Sequence, residues 1–490
     1  VWTLVLAIAA EFTESRVFAD DSILVGMASA DITPPMGYPM SGYFHPRHAT
    51  DVLDPLHAKA IVFRQQDQLA CIVVCDLLGI ARDLSQEVRK RAAKATGIPV
   101  ERIVIAATHT HTGPDYHSEF FATSTESLGD YQNKSYPVML VRQIVQAIEE
   151  AHEGCHEMSI QAGAGENDQV AFNRRFVMDD GSIQTWANYR NPSVLRAAGP
   201  IDPRFEMLLF RQADSNELVG SLASYALHLD TSDGDKKNSL GADYPAVIQR
   251  ILHEQLGSKF LFVFGTGTCG DINHVTPYDA ERNSQAEIGA ALADTFLQAM
   301  PNLRDISPRL NAASRTISLP LQSVTSTQIA HAEQVLQRVA AGENVPMLEH
   351  VDAHRVTRLA ALHSPDDLKR SSDKPLESAR KISPSLVGIG DSLPIELQAI
   401  QLSSDTAVVA LPGEVFVDLG LAIKRYSPYQ QTLVIELANM DDIAYVPTKL
   451  GANGGGYEVI NSILAPGAGE QIVETTIEML RGMKQGATQR

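Results

Sequence analysis

Short, strongly apolar runs alternate along the chain with longer stretches whose apolar residues recur at helical spacing. Ala60–Arg64 and Leu69–Cys75 run apolar or alternate, are rich in β-branched residues and flank the polar turn Gln65–Gln68, which predicts a pair of strands. Asp83–Thr96 carries a polar face and stops at Gly97 with Pro99 beyond, as a helix end does. Arg102–Ala107 predicts a buried strand. Pro137–His152 predicts an amphipathic helix with Met139, Leu140, Ile144, Val145 and Ile148 on one face. Further strands are expected at Glu206–Phe210, Leu218–Leu227, Phe260–Phe264, Glu396–Leu402, Thr406–Leu411 and Thr432–Leu437. Helices are expected at Tyr244–Gln255, after Glu414 and over Glu470–Gly482. Residues 303–395 are more polar, with two helical stretches and a Ser-, Gly- and Pro-rich loop at Ser383–Leu393.

Strands interleaved with helices, and no linker that splits the chain, predict an α/β fold of mixed β-sheets layered with helices in one large domain over residues 20–490. No repeat of twenty to fifty residues is visible, which argues against solenoids and propellers. With 44% hydrophobic and 20% charged residues in 490, the chain can bury a large core. Lys and Arg number 40 against 59 Asp and Glu, a net charge of −19 with no basic stripe, which excludes a nucleic-acid partner. Four cysteines are too few for a disulfide framework, and Cys71 and Cys75 on one strand are too far apart to bond. The apolar run Trp2–Ala10 and the small-residue site Val17-Phe18-Ala19 predict a signal peptide over residues 1–19, and with it a secreted or periplasmic protein.

Thr108-His109-Thr110-His111-Thr112-Gly113-Pro114 carries the strongest chemistry. A buried strand delivers two histidines spaced i, i+2, with rings expected on one side of the pleat, at a strand end where α/β proteins place their sites. His228 likewise ends an apolar run, and Glu414 opens a helix in Leu411-Pro412-Gly413-Glu414. Gly265–Asp271 follows a strand but lacks the lysine of a phosphate loop. His152-Glu153-Gly154-Cys155-His156 matches the HExxH letters of a zinc peptidase. Gly154, however, stands where the helix should stop, which puts the two histidines on either side of a helix end.

Taken together, these segments resemble the catalytic domain of the neutral (non-lysosomal) ceramidases. Ala30-Asp31-Ile32-Thr33 is similar to that family's ADIT segment, and the heptad at Thr108 to its THTHSGP signature. Phe172-Asn173-Arg174, Leu411–Glu414, Tyr445-Val446-Pro447-Thr448 and Tyr457 match further segments, so the resemblance spans about residues 24 to 460. It implies one zinc ion held by His109, His228, Glu414 and Tyr445, with His111, Arg174 and Tyr457 facing the substrate or its developing oxyanion. It implies hydrolysis of the amide bond of N-acylsphingosine, or of a related N-acyl lipid, by a zinc-activated water. A lipid substrate also implies transient contact with a membrane surface. Where some members carry a serine proposed as nucleophile, this chain has Asn273 in Gly270-Asp271-Ile272-Asn273-His274, which favours water over an acyl-enzyme. Asp31, Asp76, Asp230 and Asp243 end or follow apolar segments, and at least one is expected to support a zinc histidine. Two rival readings are a non-catalytic binding protein of the same fold and an HExxH peptidase.

Overall fold

Gln68–Cys75 shows why so many strands read as unbroken apolar runs. Cys71, Val73 and Cys75 pack under helices, while Ala70, Ile72 and Val74 on the opposite face pack against a second sheet. A strand covered on both faces has no polar side to show. The computed structural model describes residues 22–130, 132–232, 234–279, 283–364 and 381–488. The expected signal peptide at 1–19 lies outside the described residues.

The larger sheet has nine strands. Its order is Leu261–Thr266, Leu218–Tyr225, Arg204–Gln212, His156–Glu166, Leu24–Asp31, His57–Gln65, Gln68–Cys75 and Ile103–Ala107, with short Arg304–Asp305 beside His156–Glu166. Neighbours are antiparallel except for the pair at each edge, which is parallel. The second sheet has four strands, Pro308–Pro320, Ser392–Ser403, Thr406–Ala410 and Gln431–Ile435 in that order. The two sheets share an apolar layer that includes Phe63, Phe210 and Val263 from one and Ile400, Val408 and Ile435 from the other.

Helices close both outer faces. Arg82–Thr96 and Tyr136–Glu153 cover one half of the large sheet, and Tyr244–Leu256 and Gln285–Ala299 cover the other. Val417–Tyr426 and Ala468–Thr488 cover the small sheet. The result is a four-layer α/β/β/α sandwich in a single large domain, as the mixed pattern predicts. Helix ends obey the sequence: Gly97 caps the first helix with φ 77°, and Gly154 ends the helix Tyr136–Glu153. His156 therefore starts a strand, and the HExxH letters do not share a helix. All four cysteines are free. Among the described residues no helix is long and apolar enough to cross a membrane.

One architectural unit occurs three times. A hairpin, a helix and a strand parallel to the second hairpin strand run through 57–107, 204–266 and 392–435. The copies lie too far apart in sequence to read as a short-period repeat. Their last strands are laced at their C-terminal ends: Ala107 N–H donates to Leu437 O (3.2 Å), Glu436 N–H to Thr266 O (2.9 Å) and the Thr266 hydroxyl to Thr108 O (2.6 Å). That junction is where the histidines gather.

Candidate metal centre

Each unit delivers ligand-type side chains to the junction just past a strand. The first strand ends at Ala107, and His109 takes φ 70°, a left-handed conformation that non-glycine residues seldom hold outside functional sites. The alternation expected of a pleat therefore does not apply. A turn, not a strand, brings the His109 and His111 rings edge to face at 4.9 Å. The second unit supplies His228. The third supplies Glu414 after Gly413, whose φ of 71° and close approach to Ala444 O (2.6 Å from a Cβ built there) leave no room for a side chain. Glu414–Val415 pairs in parallel with Tyr445–Val446, and this register sets Tyr445 directly beside Glu414.

His109 Nδ1 lies 2.7 Å from Leu78 O, and His228 Nδ1 lies 2.9 Å from Cys269 O. A carbonyl can only accept, so each ring carries a proton on Nδ1 and turns its Nε2 toward the cluster. Both Nε2 atoms face one oxygen: Glu414 Oε2 is 3.3 Å from His109 Nε2 and 3.2 Å from His228 Nε2. That oxygen is buried and makes no well-formed hydrogen bond. Two imidazole nitrogens converging on one carboxylate oxygen need a cation between them, whether a proton on Nε2 or a metal ion in its place. His111 Nε2 is 3.4 Å from His109 Nε2, and the three imidazoles can each present one ligand atom within 4.8 Å of the others. Ligands about 2.0–2.1 Å from a tetrahedral zinc stand about 3.3 Å from one another, so the donor set fits such an ion.

The electrostatics show that this pocket favours positive charge beside Glu414, which also raises the His109 pKa against its burial. Burial works against the Glu414 carboxylate, but His109 and His228 outweigh it and hold its pKa well below the usual range. Burial, then Glu414, pushes Tyr445 well above the normal phenol value, so only a cation's charge could make it a tyrosinate ligand. Burial and then His109 take His111 down to about 3, which keeps it neutral.

Arg174 sits behind this cluster, 2% exposed. Its Nε donates to Glu458 Oε1 (2.7 Å), Nη2 to Gly270 O (3.0 Å) and the Tyr445 hydroxyl (3.1 Å), and Nη1 approaches His228 Nε2 at 3.2 Å. Three of its five N–H groups thus face the Glu458, Gly270 and Tyr445 oxygens, so it positions Tyr445 more than it offers a free donor. Tyr457 begins a short helix after Gly455 and Gly456, and packs on Trp186 (4.9 Å) and Tyr445 (5.6 Å). Its preceding glycine-rich stretch is partly ordered as the helix Lys449–Asn453.

The four aspartates do not do what the sequence suggests. Leu78 and Cys269 carbonyls occupy the Nδ1 positions of His109 and His228, so no carboxylate orients either ring. Asp31 accepts from Thr33 N–H, Asp76 from His57 N–H, and Asp243 from Thr231 and Tyr244. Asp230 is the nearest to the cluster in its effects: it couples electrostatically to His111 and His228, accepts from Asn273 and lies 3.2 Å from His274 Nδ1.

Several supporting residues escape a motif search. Glu458 also lies 3.4 Å from Arg175 Nε and accepts from Thr185. Asp271 accepts from Asn173 and from Val417 N–H, tying the Arg174 segment to the helix that follows Glu414. Glu436 accepts from Val415 N–H and the Cys269 thiol, bridging the Glu414 and His228 neighbourhoods. Asp271 closes the glycine-rich segment Gly265–Asp271 and Glu458 follows Tyr457, whereas nothing in the sequence flags Glu436.

Over 207 residues the chain is 26% identical to the neutral ceramidase of Pseudomonas aeruginosa, a match covering 40% of this chain and 29% of that protein. Over 203 residues it is 30% identical to neutral ceramidase 3 of Arabidopsis thaliana, covering 40% and 26%. The chain thus spans less than a third of either curated relative in these matches. The crystal structure of the Pseudomonas aeruginosa neutral ceramidase superposes with a TM-score of 0.68 at 18% identity, over 95% of this chain and 75% of that one. A ceramidase complexed with C2 gives 0.68 at 17% identity, with the same coverage. At such identities the two structures establish the fold. Residues 23–338, more than half of the chain, match the family described as neutral/alkaline non-lysosomal ceramidase, N-terminal. The chain belongs to the neutral/alkaline non-lysosomal ceramidase family.

Proposed function

We propose that the protein is a zinc-dependent amidohydrolase that cleaves the amide bond of N-acylsphingosine or a related N-acyl lipid. The observation that carries this reading is the convergence of buried Glu414 Oε2 and the Nε2 atoms of His109 and His228, with His111 beside them, on one point. Membership of the family and the names of the two relatives support the substrate class.

In this reading His109, His228, Glu414 and Tyr445 hold the ion, because the first three share one contact point and Tyr445 is registered beside Glu414. Zinc bound there supplies Lewis acidity toward a carbonyl oxygen and acidifies water. His111 stays neutral and lends its ring nitrogen to the polar part of the substrate. Burial, then Glu414, raises Tyr457 to about 12, so its phenol keeps its proton at neutral pH and serves as a donor to the developing oxyanion. Arg174 fixes the Tyr445 hydroxyl and the Glu458 carboxylate and adds a positive charge that no accessible pH removes.

The test is release of free fatty acid and sphingoid base from N-acylsphingosine, followed by mass spectrometry before chelation, after chelation and after zinc is restored. Activity that follows the zinc supports the proposal. A zinc-loaded, folded protein that releases neither product from long- or short-chain N-acyl lipids would sink it and favour the binding-protein reading.

A further inference from the structure

The HExxH letters at His152–His156 straddle a helix end, but the helix Met347–His363 carries a histidine pair that does share one face. His350 and His354 are one helical turn apart, half-buried, with Nε2 atoms 3.0 Å apart and ring centroids 4.8 Å apart. Two nitrogens about 2.0–2.1 Å from one ion, at angles between tetrahedral and right, stand about 2.9–3.4 Å apart. The observed separation falls inside that window without any change of rotamer. Imidazole pairs favour borderline divalent ions such as zinc, copper and nickel over magnesium or calcium.

The pair also has a defined place. The Phe44 ring packs on both imidazoles, at 5.6 Å from His350 and 5.7 Å from His354. The same ring meets Tyr457 edge-on at 6.4 Å. The two histidines therefore stand at the outer end of an aromatic contact that leads to the candidate metal centre. Val351 occupies the position that a zinc peptidase gives to its catalytic glutamate, so the pair is suited to binding and not to hydrolysis.

We propose that His350 and His354 form a second transition-metal site, separate from the His109–His228–Glu414 centre, which takes zinc or a similar borderline divalent cation with water completing the coordination. This inference is independent of which substrate the main centre processes.

Metal content settles it. The purified protein, the double variant His350→Gln/His354→Gln and the single variant His228→Ala are dialysed against buffered zinc in excess, and zinc per chain is measured by atomic emission. Glutamine keeps the polarity and helix propensity of these positions, and circular dichroism verifies the fold. The wild type should hold two ions per chain, the double glutamine variant one, and His228→Ala one. A wild type with a single ion that the double variant loses also supports the histidine pair while refuting the main centre. A folded double variant that binds as much zinc as the wild type overturns the proposal, because the rings then share only a hydrogen bond.

Discussion

Arg174 and Glu458 form a fully buried ion pair, Nε to Oε1 at 2.7 Å, with side-chain exposures of 2% and 0%. The same carboxylate lies 3.4 Å from the guanidinium of Arg175, itself only 4% exposed. One carboxylate therefore touches two buried cations immediately behind the histidine cluster, with Glu414 acting on Arg174 and Asp271 on Arg175 from further off. Replacing both members of such a pair with apolar groups can be neutral, but removing one leaves a buried charge unpaired.

Glu458→Gln should therefore destabilise the fold by about 3–5 kcal/mol, as breaking a buried pair does. Urea unfolding of wild type and variant, at equal metal loading, measures it. A loss below about 1 kcal/mol would mean that water reaches the pair and screens it, as it does at a surface.

Metal retention tests the ligand set directly. His228→Ala should lose most of the zinc of the main centre, because a four-coordinate site rarely survives removal of an imidazole. Asp230→Asn should retain it, since Asp230 faces Asn273 and His274 and does not orient the Nδ1 of His109 or His228. Competition against a chromogenic chelator reads both. Equal zinc affinity in wild type and His228→Ala would remove His228 from the site.

The sequence made the ends of the strands legible, because a buried strand that stops on His, Gly and Pro announces its own terminus. His109, His111, His228 and Glu414 follow such ends, Tyr445 comes from the family resemblance alone and begins the short strand beside Glu414, and all meet in one place. What holds them was not legible. The ring-orienting groups are the carbonyls of Leu78 and Cys269, and every residue type offers a carbonyl, so aspartates near apolar segments pointed the wrong way. Glu458 and Glu436 look like ordinary charged residues until the fold buries them. The strand Pro308–Pro320 was hidden for a different reason. It is an edge strand, its side chains are largely half-buried or exposed, and its pattern therefore lacks the apolar run that marked its neighbours. The three-fold recurrence of the hairpin–helix–strand unit lives in hydrogen-bond pairing, which the residues do not spell out.

Tyr457 tests the chemistry apart from the metal. Its phenol keeps its proton at neutral pH and its ring packs tilted on Trp186 and edge-on to Tyr445, so Tyr457→Phe deletes a donor with little loss of packing. Removal of one oxyanion donor typically costs ~10²–10³ in turnover. The variant should keep its zinc and lose kcat by that factor on a soluble short-chain N-acyl substrate. Wild-type turnover in the variant would leave the oxyanion without its proposed partner.

A last prediction concerns pH and lies away from the metal. His117 Nε2 is 3.1 Å from Asp441 Oδ2, and Nδ1 is 3.5 Å from Asp115 Oδ1, which in turn holds Lys381 at 2.6 Å. Burial opposes the charged imidazole, but Asp441 and then Asp115 outweigh it and raise the pKa from 6.5 to about 9. A raised folded-state pKa means that the folded protein holds the proton more tightly than the unfolded chain does. The stabilisation is complete below about pH 6.5, fades as pH rises through about 9, and amounts to about 3 kcal/mol at most. His117→Gln cannot carry the charge, so its unfolding free energy should lack this alkaline loss. Urea unfolding in chelator between pH 6 and pH 10 should show the gap between wild type and variant closing as pH rises. A gap that stays constant over that range would mean that His117 is neutral in the fold and that Asp115 and Asp441 are satisfied without it.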